Sequence, residues 1–451
     1  MSNIPVPPDN MEETAAESVP EEPLTLDFVP SYQAFPSLAE QQLAYMLLLI
    51  RTQSQTALSN HTPLNICLVL DHSSSMRGEK LFQVKAAARQ VVDQLTVADF
   101  FSLIAFNDRP TTVVSCQKVS SRENIKALID NIEGKGGTEL AAGLHAGIQE
   151  IRRATPFTNL NYILLLTDGQ TYGDADRCVQ LGQDAANQHI VIYPMGIGAD
   201  WNEDLLETVA AKCGGASEYI EAADQIVRVF MQKINQLRST LAQASVLSFQ
   251  ALPGVTIKKV HRINPNIVQL EPTGDAARPA FQLGPLGRGS EYSVLVEMVL
   301  PPLPPGSYRV TDINLCFQLP DAKLTQQETT LAVGLNFAEA TKEENLNPEI
   351  RQVIERVSAF QLQARAWQEI ADGDIVSGTK RLAAVSTRLL SMGEVDLAAQ
   401  VKQEVQNLTA RGVSSSQGKK KIKYGTRGLT GDINLADFLP RTGTADVSKR
   451  K

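Results

Sequence analysis

Cysteine is scarce and poorly placed for crosslinking. Cys67, Cys116, Cys178, Cys213 and Cys316 are odd in number, widely spaced and form no CxxC pair. That argues against a disulfide framework or a zinc ribbon and for reduced thiols in a cytoplasmic protein. Long apolar runs are also missing: the best, around Ala44–Ile50, falls far short of the roughly 18 residues that a membrane span needs. No basic stretch followed by an apolar one opens the chain, so no secretory leader is expected. Positive charge is not in excess, and a formal net charge of −8 argues against general nucleic-acid binding. The five histidines, His61, His72, His145, His189 and His261, show no metal-ligand spacing, and only His72 lies near a motif of interest. Neither GxSxG nor GxxxxGK[ST] occurs. Gly373–Lys380 approaches the second pattern, but Thr379 and Lys380 stand in reversed order and no strand precedes them, so it reads as a helix–helix connection. Catalysis is therefore not expected.

What is present divides into segments. The 451 residues exceed one core, and 43% hydrophobic against 20% charged residues suits a folded chain of several units. Residues 1–24 carry six acidic side chains, five prolines and no basic residue, the composition of a disordered arm. Residues 25–60 read as strand, with Gln42–Arg51 a long buried one. Over 61–242 strands alternate with helices, and the strands at Asn65–Leu70, Tyr162–Thr167 and His189–Ile197 are nearly continuous apolar runs. Strands covered by helices on both faces read this way, so the spacing predicts an α/β, doubly wound, mostly parallel, Rossmann-like sheet closed by a helix over Ala222–Leu241. Over 243–340 short β-rich runs recur between Pro/Gly turns, as in a β-sandwich. The strand at Gln42–Arg51 has no partner of its own, so it is assigned to that sandwich, with the α/β unit inserted between two parts of one β-domain. Residues 341–412 form a small helical module broken near Gly373 and Gly393, and 413–451 read as a basic disordered tail.

One stretch carries chemistry. The apolar run Leu68-Val69-Leu70 ends in Asp71, with hydroxyls at Ser73 and Ser75. Two more loops are expected at the same carboxyl edge of the sheet, where open α/β folds form their ligand crevice: Gly136-Gly137-Thr138 and Thr167-Asp168-Gly169. Two carboxylates and three hydroxyls without a soft ligand suit a hard, oxygen-loving ion such as Mg²⁺, with Mn²⁺ or Ca²⁺ as alternatives. DxSxS alone is weak evidence, because an Asp followed by serines also caps helices.

The three motifs in this order resemble the von Willebrand factor type A domain with a complete metal-ion-dependent adhesion site, in the manner of bacterial intracellular members. The resemblance covers about 180 residues. It implies that Ser73 and Ser75 ligate the metal directly, that Asp71, Thr138 and Asp168 bind it directly or through water, and that an Asp or Glu of a protein partner completes the coordination. It also implies a switch coupled to the last helix of the domain. The expected role is a scaffold or adaptor in signalling or complex assembly, serving for instance a Ser/Thr kinase. The alternative is a subunit that presents substrate to an AAA+ ATPase, as in a chelatase-like or remodelling complex. Surface adhesion would need an export signal. In the tail, Thr426 and Thr430 follow a basic run and each has an aliphatic residue three positions on. They are candidate phosphorylation sites for a phosphothreonine-binding domain, set against a merely solubilising tail. Asp432–Pro440 is acidic and amphipathic and could dock in a groove.

Overall fold

The computed structural model describes residues 22–54, 62–154, 160–171, 173–275, 278–320, 325–339 and 346–430. Residues 1–21 of the expected arm and residues 431–451, with the Asp432–Pro440 segment, lie outside them. The chain begins with strands β1 (Leu24–Pro30), β2 (Phe35–Pro36) and β3 (Gln42–Thr52). The alternating part follows as β4 (Leu64–Asp71), α1 (Glu79–Gln94), β5 (Phe100–Phe106), β6 (Pro110–Lys118), α2 (Arg122–Asp130), α3 (Leu140–Ala154), β7 (Leu160–Thr167), α4 (Ala175–Asn187), β8 (Ile190–Ile197), α5 (Glu203–Lys212), β9 (Glu218–Ile220) and α6 (Ile226–Arg238). Then come β10 (Thr240–Ala251), β11 (Thr256–Asn264), β12 (Val268–Leu270), β13 (Ala280–Gln282), β14 (Leu286–Gly287), β15 (Glu291–Leu300), β16 (Gly306–Leu319) and β17 (Thr325–Ala338). Four helices end the described chain: α7 (Pro348–Ala371), α8 (Ile375–Ser391), α9 (Val395–Arg411) and α10 (Ser416–Arg427).

In the α/β unit the strands lie in the order β6-β5-β4-β7-β8-β9, all parallel except β6, which runs antiparallel at the edge. Every residue of β4 and β7 is buried, because helices cover both faces. Ile66, Leu68 and Leu70 pack with α1, α2 and α6, and the alternate residues Cys67 and Val69 with α3, α4 and α5. The nearly continuous apolar text of these strands follows from burial on both sides.

β3 is apolar from Leu43 to Ile50 for a related reason. It lies between β1 and β15 in one sheet of the sandwich and pairs with β15 from Gln42 to Arg51. Met46, Leu48 and Ile50 face the core between the two sheets, while Leu47 and Leu49 pack with the helical module on the outside. The α/β unit thus sits in the chain between β3 and β10 of one sandwich. The last helix of that unit ends earlier than the expected Leu241, and with only Ser239 between them Arg238 leads into β10. Asp99 pins both ends of the insertion. Its carboxylate accepts the Leu64 N–H at 2.9 Å and the Thr96 N–H at 2.7 Å, and pairs with the Arg238 guanidinium at 3.3 Å.

The tail expected from residue 413 is corrected by the structure: its first part is the helix α10. Gly412 ends α9 in the left-handed region (φ 69°), and Ser415 caps α10 by accepting the Gly418 N–H. The carboxylate of Glu404, itself buried, takes the Ser415 N–H and hydroxyl at 2.8 and 2.6 Å. The basic residues that look like a solvated tail face α5. Lys419 and Lys420 reach the Glu203 carboxylate at 2.8 and 2.9 Å, Lys423 lies 2.7 Å from Asp204 and 2.8 Å from Glu207, and Arg427 lies 2.8 Å from Glu207. Lys420 is buried over the Trp201 ring, an apolar and aromatic setting that makes the ion pair its main compensation.

Burial alone would raise the Glu203 carboxyl, but hydrogen bonds from Lys419 and Lys420 win and draw it from 4.5 to about 2. A carboxylate held below its unfolded value stabilises the fold above that value and loses the contribution as pH falls through the folded one. The difference corresponds to about 3 kcal/mol. Glu203→Gln is therefore expected to lower stability at neutral pH and to flatten the acid limb between pH 4.5 and 2. Urea unfolding of both proteins over that range measures it.

Candidate metal centre

Asp71 is the last residue of β4, and Asp168 follows the last residue of β7. Because these strands are parallel neighbours with Leu70 opposite Leu166, both carboxylates emerge at the same edge of the sheet. Asp71 is fully buried and Asp168 is 2% exposed. Asp71 Oδ1 accepts the Ser73 N–H at 2.8 Å, and Oδ2 accepts the Thr167 hydroxyl at 2.7 Å. The Ser73 and Ser75 hydroxyls are 2.9 Å apart, and Ser75 donates to Asp168 Oδ1 at 2.7 Å. The other oxygen, Asp168 Oδ2, is paired with the Lys80 ammonium. Four of the five expected residues thus form one hydrogen-bonded cluster.

The fifth, Thr138, is brought alongside by the glycines. A Cβ on Gly169 would lie 3.2 Å from Thr138 Oγ1, so the TDG loop passes directly over this hydroxyl. Gly136 has φ +82°, and a Cβ there would lie 2.6 Å from Asp108 Oδ2. Its carbonyl accepts the Ser74 N–H at 3.0 Å, while the Lys135 N–H donates to the His72 carbonyl at 2.8 Å. The His72 ring completes the brace: its Nδ1 lies 2.7 Å from the Glu133 carbonyl, which can only accept, so Nδ1 carries the proton. His72 therefore acts on the loop that carries Thr138. Thr171 and Asp174 tie the third loop to α3 by accepting the Leu140 and Ala141 N–H groups at 3.3 and 2.8 Å.

Burial raises the Asp71 carboxyl above its usual range; hydrogen bonds from Thr167 and Ser73 oppose this, and the charge of Asp168 adds to it. Two anions held this close in a desolvated edge, with hydroxyl oxygens converging and no sulfur or imidazole donor among them, fit a hard divalent cation. Lys80, Thr171 and Asp174 were not read as functional from sequence, and Thr167 was read only as part of its motif. Lys80 stands nine positions after Asp71, and only the turn into α1 brings it back over the strand end.

The tail candidates fare differently. Thr426 is fully buried on α10 and donates its hydroxyl to the Lys423 carbonyl at 3.0 Å, which corrects its reading as an accessible phosphorylation site. Thr430 is half-buried, and its carbonyl accepts from Arg356 at 2.8 Å.

The central unit, a doubly wound sheet with its carboxylates at the β4/β7 edge, matches the von Willebrand factor type A domain over residues 65–235. Residues 348–432 match a second family, the Sll0103-like, C-terminal alpha-helical domain. The protein sll0103 of Synechocystis sp. is 33% identical over 262 residues, covering 57% of this chain and 62% of that protein. Inter-alpha-trypsin inhibitor heavy chain H4 of Bos taurus is 29% identical over 195 residues, covering 40% of this chain and 21% of the relative. The chain thus spans less than two thirds of the length of either. Among solved structures, von Willebrand factor type A from Catenulispora acidiphila shares the fold, with a TM-score of 0.74 over 90% of this chain and 96% of that one at 16% identity. A type A domain implies metal-dependent protein interaction in general terms. No helix among the described residues is long and apolar enough to cross a membrane.

The loop geometry is testable without metal. Gly136 and Gly373 both have positive φ, but only at Gly136 would a Cβ also meet another group. Gly373→Ala is expected to cost about 1 kcal/mol, and Gly136→Ala clearly more, about 2–3 kcal/mol. Thermal unfolding of the two variants checks the order.

Proposed function

We propose that this chain is a non-catalytic scaffold that holds a partner protein through a divalent ion, Mg²⁺ foremost, at a complete metal-ion-dependent adhesion site. The observation that carries the reading is the pair of buried carboxylates, Asp71 and Asp168, joined by the Ser73 and Ser75 hydroxyls at one sheet edge. Ser73, Ser75 and Thr138 would supply neutral oxygens, and Asp71 and Asp168 the balancing charge. Bound there, the ion supplies a Lewis-acidic position for a carboxylate from outside. Ser75 is exposed and Ser73 buried, so a partner's Asp or Glu would approach over Ser75. The buried surroundings of the carboxylates exclude water from below and strengthen a charge-to-charge contact relative to one in open solvent.

Two measurements test this. Mg²⁺ at a hundredfold above its Kd is expected to stabilise the wild-type chain by about 2.7 kcal/mol and to leave Asp71→Ala unmoved. An affinity pull-down from native lysate, with wild type and Asp71→Ala each in Mg²⁺ and in chelator, is expected to retain a partner only with wild type and Mg²⁺. The same proteins in all four samples would sink the reading. The identity of the retained partner separates a kinase-linked adaptor from a subunit serving an AAA+ ATPase.

A further inference from the structure

Lys80 is the second residue of α1, and its ammonium pairs with Asp168 Oδ2. The Asp168 side chain is fully buried, whereas that of Lys80 is 35% exposed. Among the described residues Lys80 is the one cation in ion-pair contact with either carboxylate of the cluster. The remaining contacts of Asp71 and Asp168 come from hydroxyls and a backbone amide, which carry no net charge. The charge of the centre is therefore set by two aspartates and one lysine.

That count has a consequence for the metal centre inferred above, on which this inference rests. Two carboxylates by themselves would neutralise a divalent ion. With the Lys80 ammonium in the set, one positive charge is left over, and one external carboxylate removes it. We propose that Lys80 is the residue that makes the centre select an acidic ligand: it weakens binding of the ion alone and couples tight ion binding to a carboxylate from outside. The low dielectric around Asp168 makes this term large, because a charge held against a buried group is poorly screened. The position on α1 matters as well. Lys80 lies at the start of the helix, where its own backbone amide adds to the positive end of the dipole instead of offsetting the ammonium.

The test uses the full chain and Mn²⁺ as probe, titrated by electron paramagnetic resonance with and without saturating acetate as the carboxylate. Lys80→Arg keeps the charge. Lys80→Gln keeps a donor for Asp168 without charge, and Lys80→Met removes both, so the two neutral variants guard against loss of the fold, which circular dichroism checks. Wild type and Lys80→Arg are expected to bind Mn²⁺ more tightly when acetate is present. The neutral variants should bind Mn²⁺ about tenfold more tightly than wild type in its absence and lose most of the acetate effect. Neutral variants that bind Mn²⁺ no better than wild type and keep the acetate effect overturn the role of Lys80 while leaving the centre intact, provided Asp71→Ala abolishes binding. If wild type itself binds no more Mn²⁺ than Asp71→Ala, the metal centre fails and the inference with it.

Discussion

The burial of Asp71 beside Asp168 is the constraint around which the α/β unit is arranged. Two carboxylates withdrawn from water at one sheet edge are costly unless each oxygen finds a donor and the joint charge is offset. Every nearby feature addresses one of those needs. Fully buried β4 and β7 place the carboxylates in register, and Thr167, Ser73 and Ser75 give them donors. Lys80 offsets part of the charge. The glycine loops let Thr138 and the backbone come close enough to share the space, and His72 fixes one of those loops from below. A divalent ion is the remaining component such an arrangement calls for.

The parts of this arrangement that were legible in the sequence are those written in short runs. The apolar text of β4, β7 and β3 reports burial on two faces, and it led both to the parallel sheet and to the insertion of the α/β unit in the sandwich. The motifs around Asp71 and Asp168 were legible because each sits at the end of such a run, and the one around Gly136 because its glycines stand just before a helix. Lys80 was not, because nothing local distinguishes a lysine on a polar helix start until the helix direction is known. The short strand β9 was missed because three residues, Glu218-Tyr219-Ile220, carry too little pattern to read as a strand.

α10 was unreadable for a more general reason. Its side that packs on α5 is basic, at Lys420, Lys423 and Arg427, and Ile422 alone faces the helical module as a fully buried aliphatic, so hydrophobic periodicity reports a solvated segment. The complement lies far away in sequence, in Glu203, Asp204 and Glu207 at the start of α5. Only when both spacings are set side by side does a charged interface appear, and Trp201 and Tyr424 between them make it partly buried. A composition rule that equates lysine runs with disorder fails wherever the partner surface is acidic and belongs to the same chain.

The position of α10 also bears on how the crevice could communicate with the rest of the molecule. At its start, Ser416 and Lys420 donate to the Ala199 carbonyl at 2.6 and 2.8 Å, just beyond the end of β8 on the crevice side. At its end, the Arg427 carbonyl accepts the Ile267 N–H of the sandwich at 2.9 Å. The helix is therefore a strut along the flank of the α/β unit, in parallel with the covalent route through α6 and β10. The two routes differ in stiffness. Only Ser239 separates α6 from β10, and the end of α6 is held by Arg238 on Asp99, the same carboxylate that fixes the start of β4. Any sliding of α6 must break that contact and the Lys233–Glu218 pair, whose lysine is buried. A displacement of α6 is thus opposed at two points along the helix. The fold is built to present the edge of the sheet from a stiff base, and motion of the last helix requires these ion pairs to yield together.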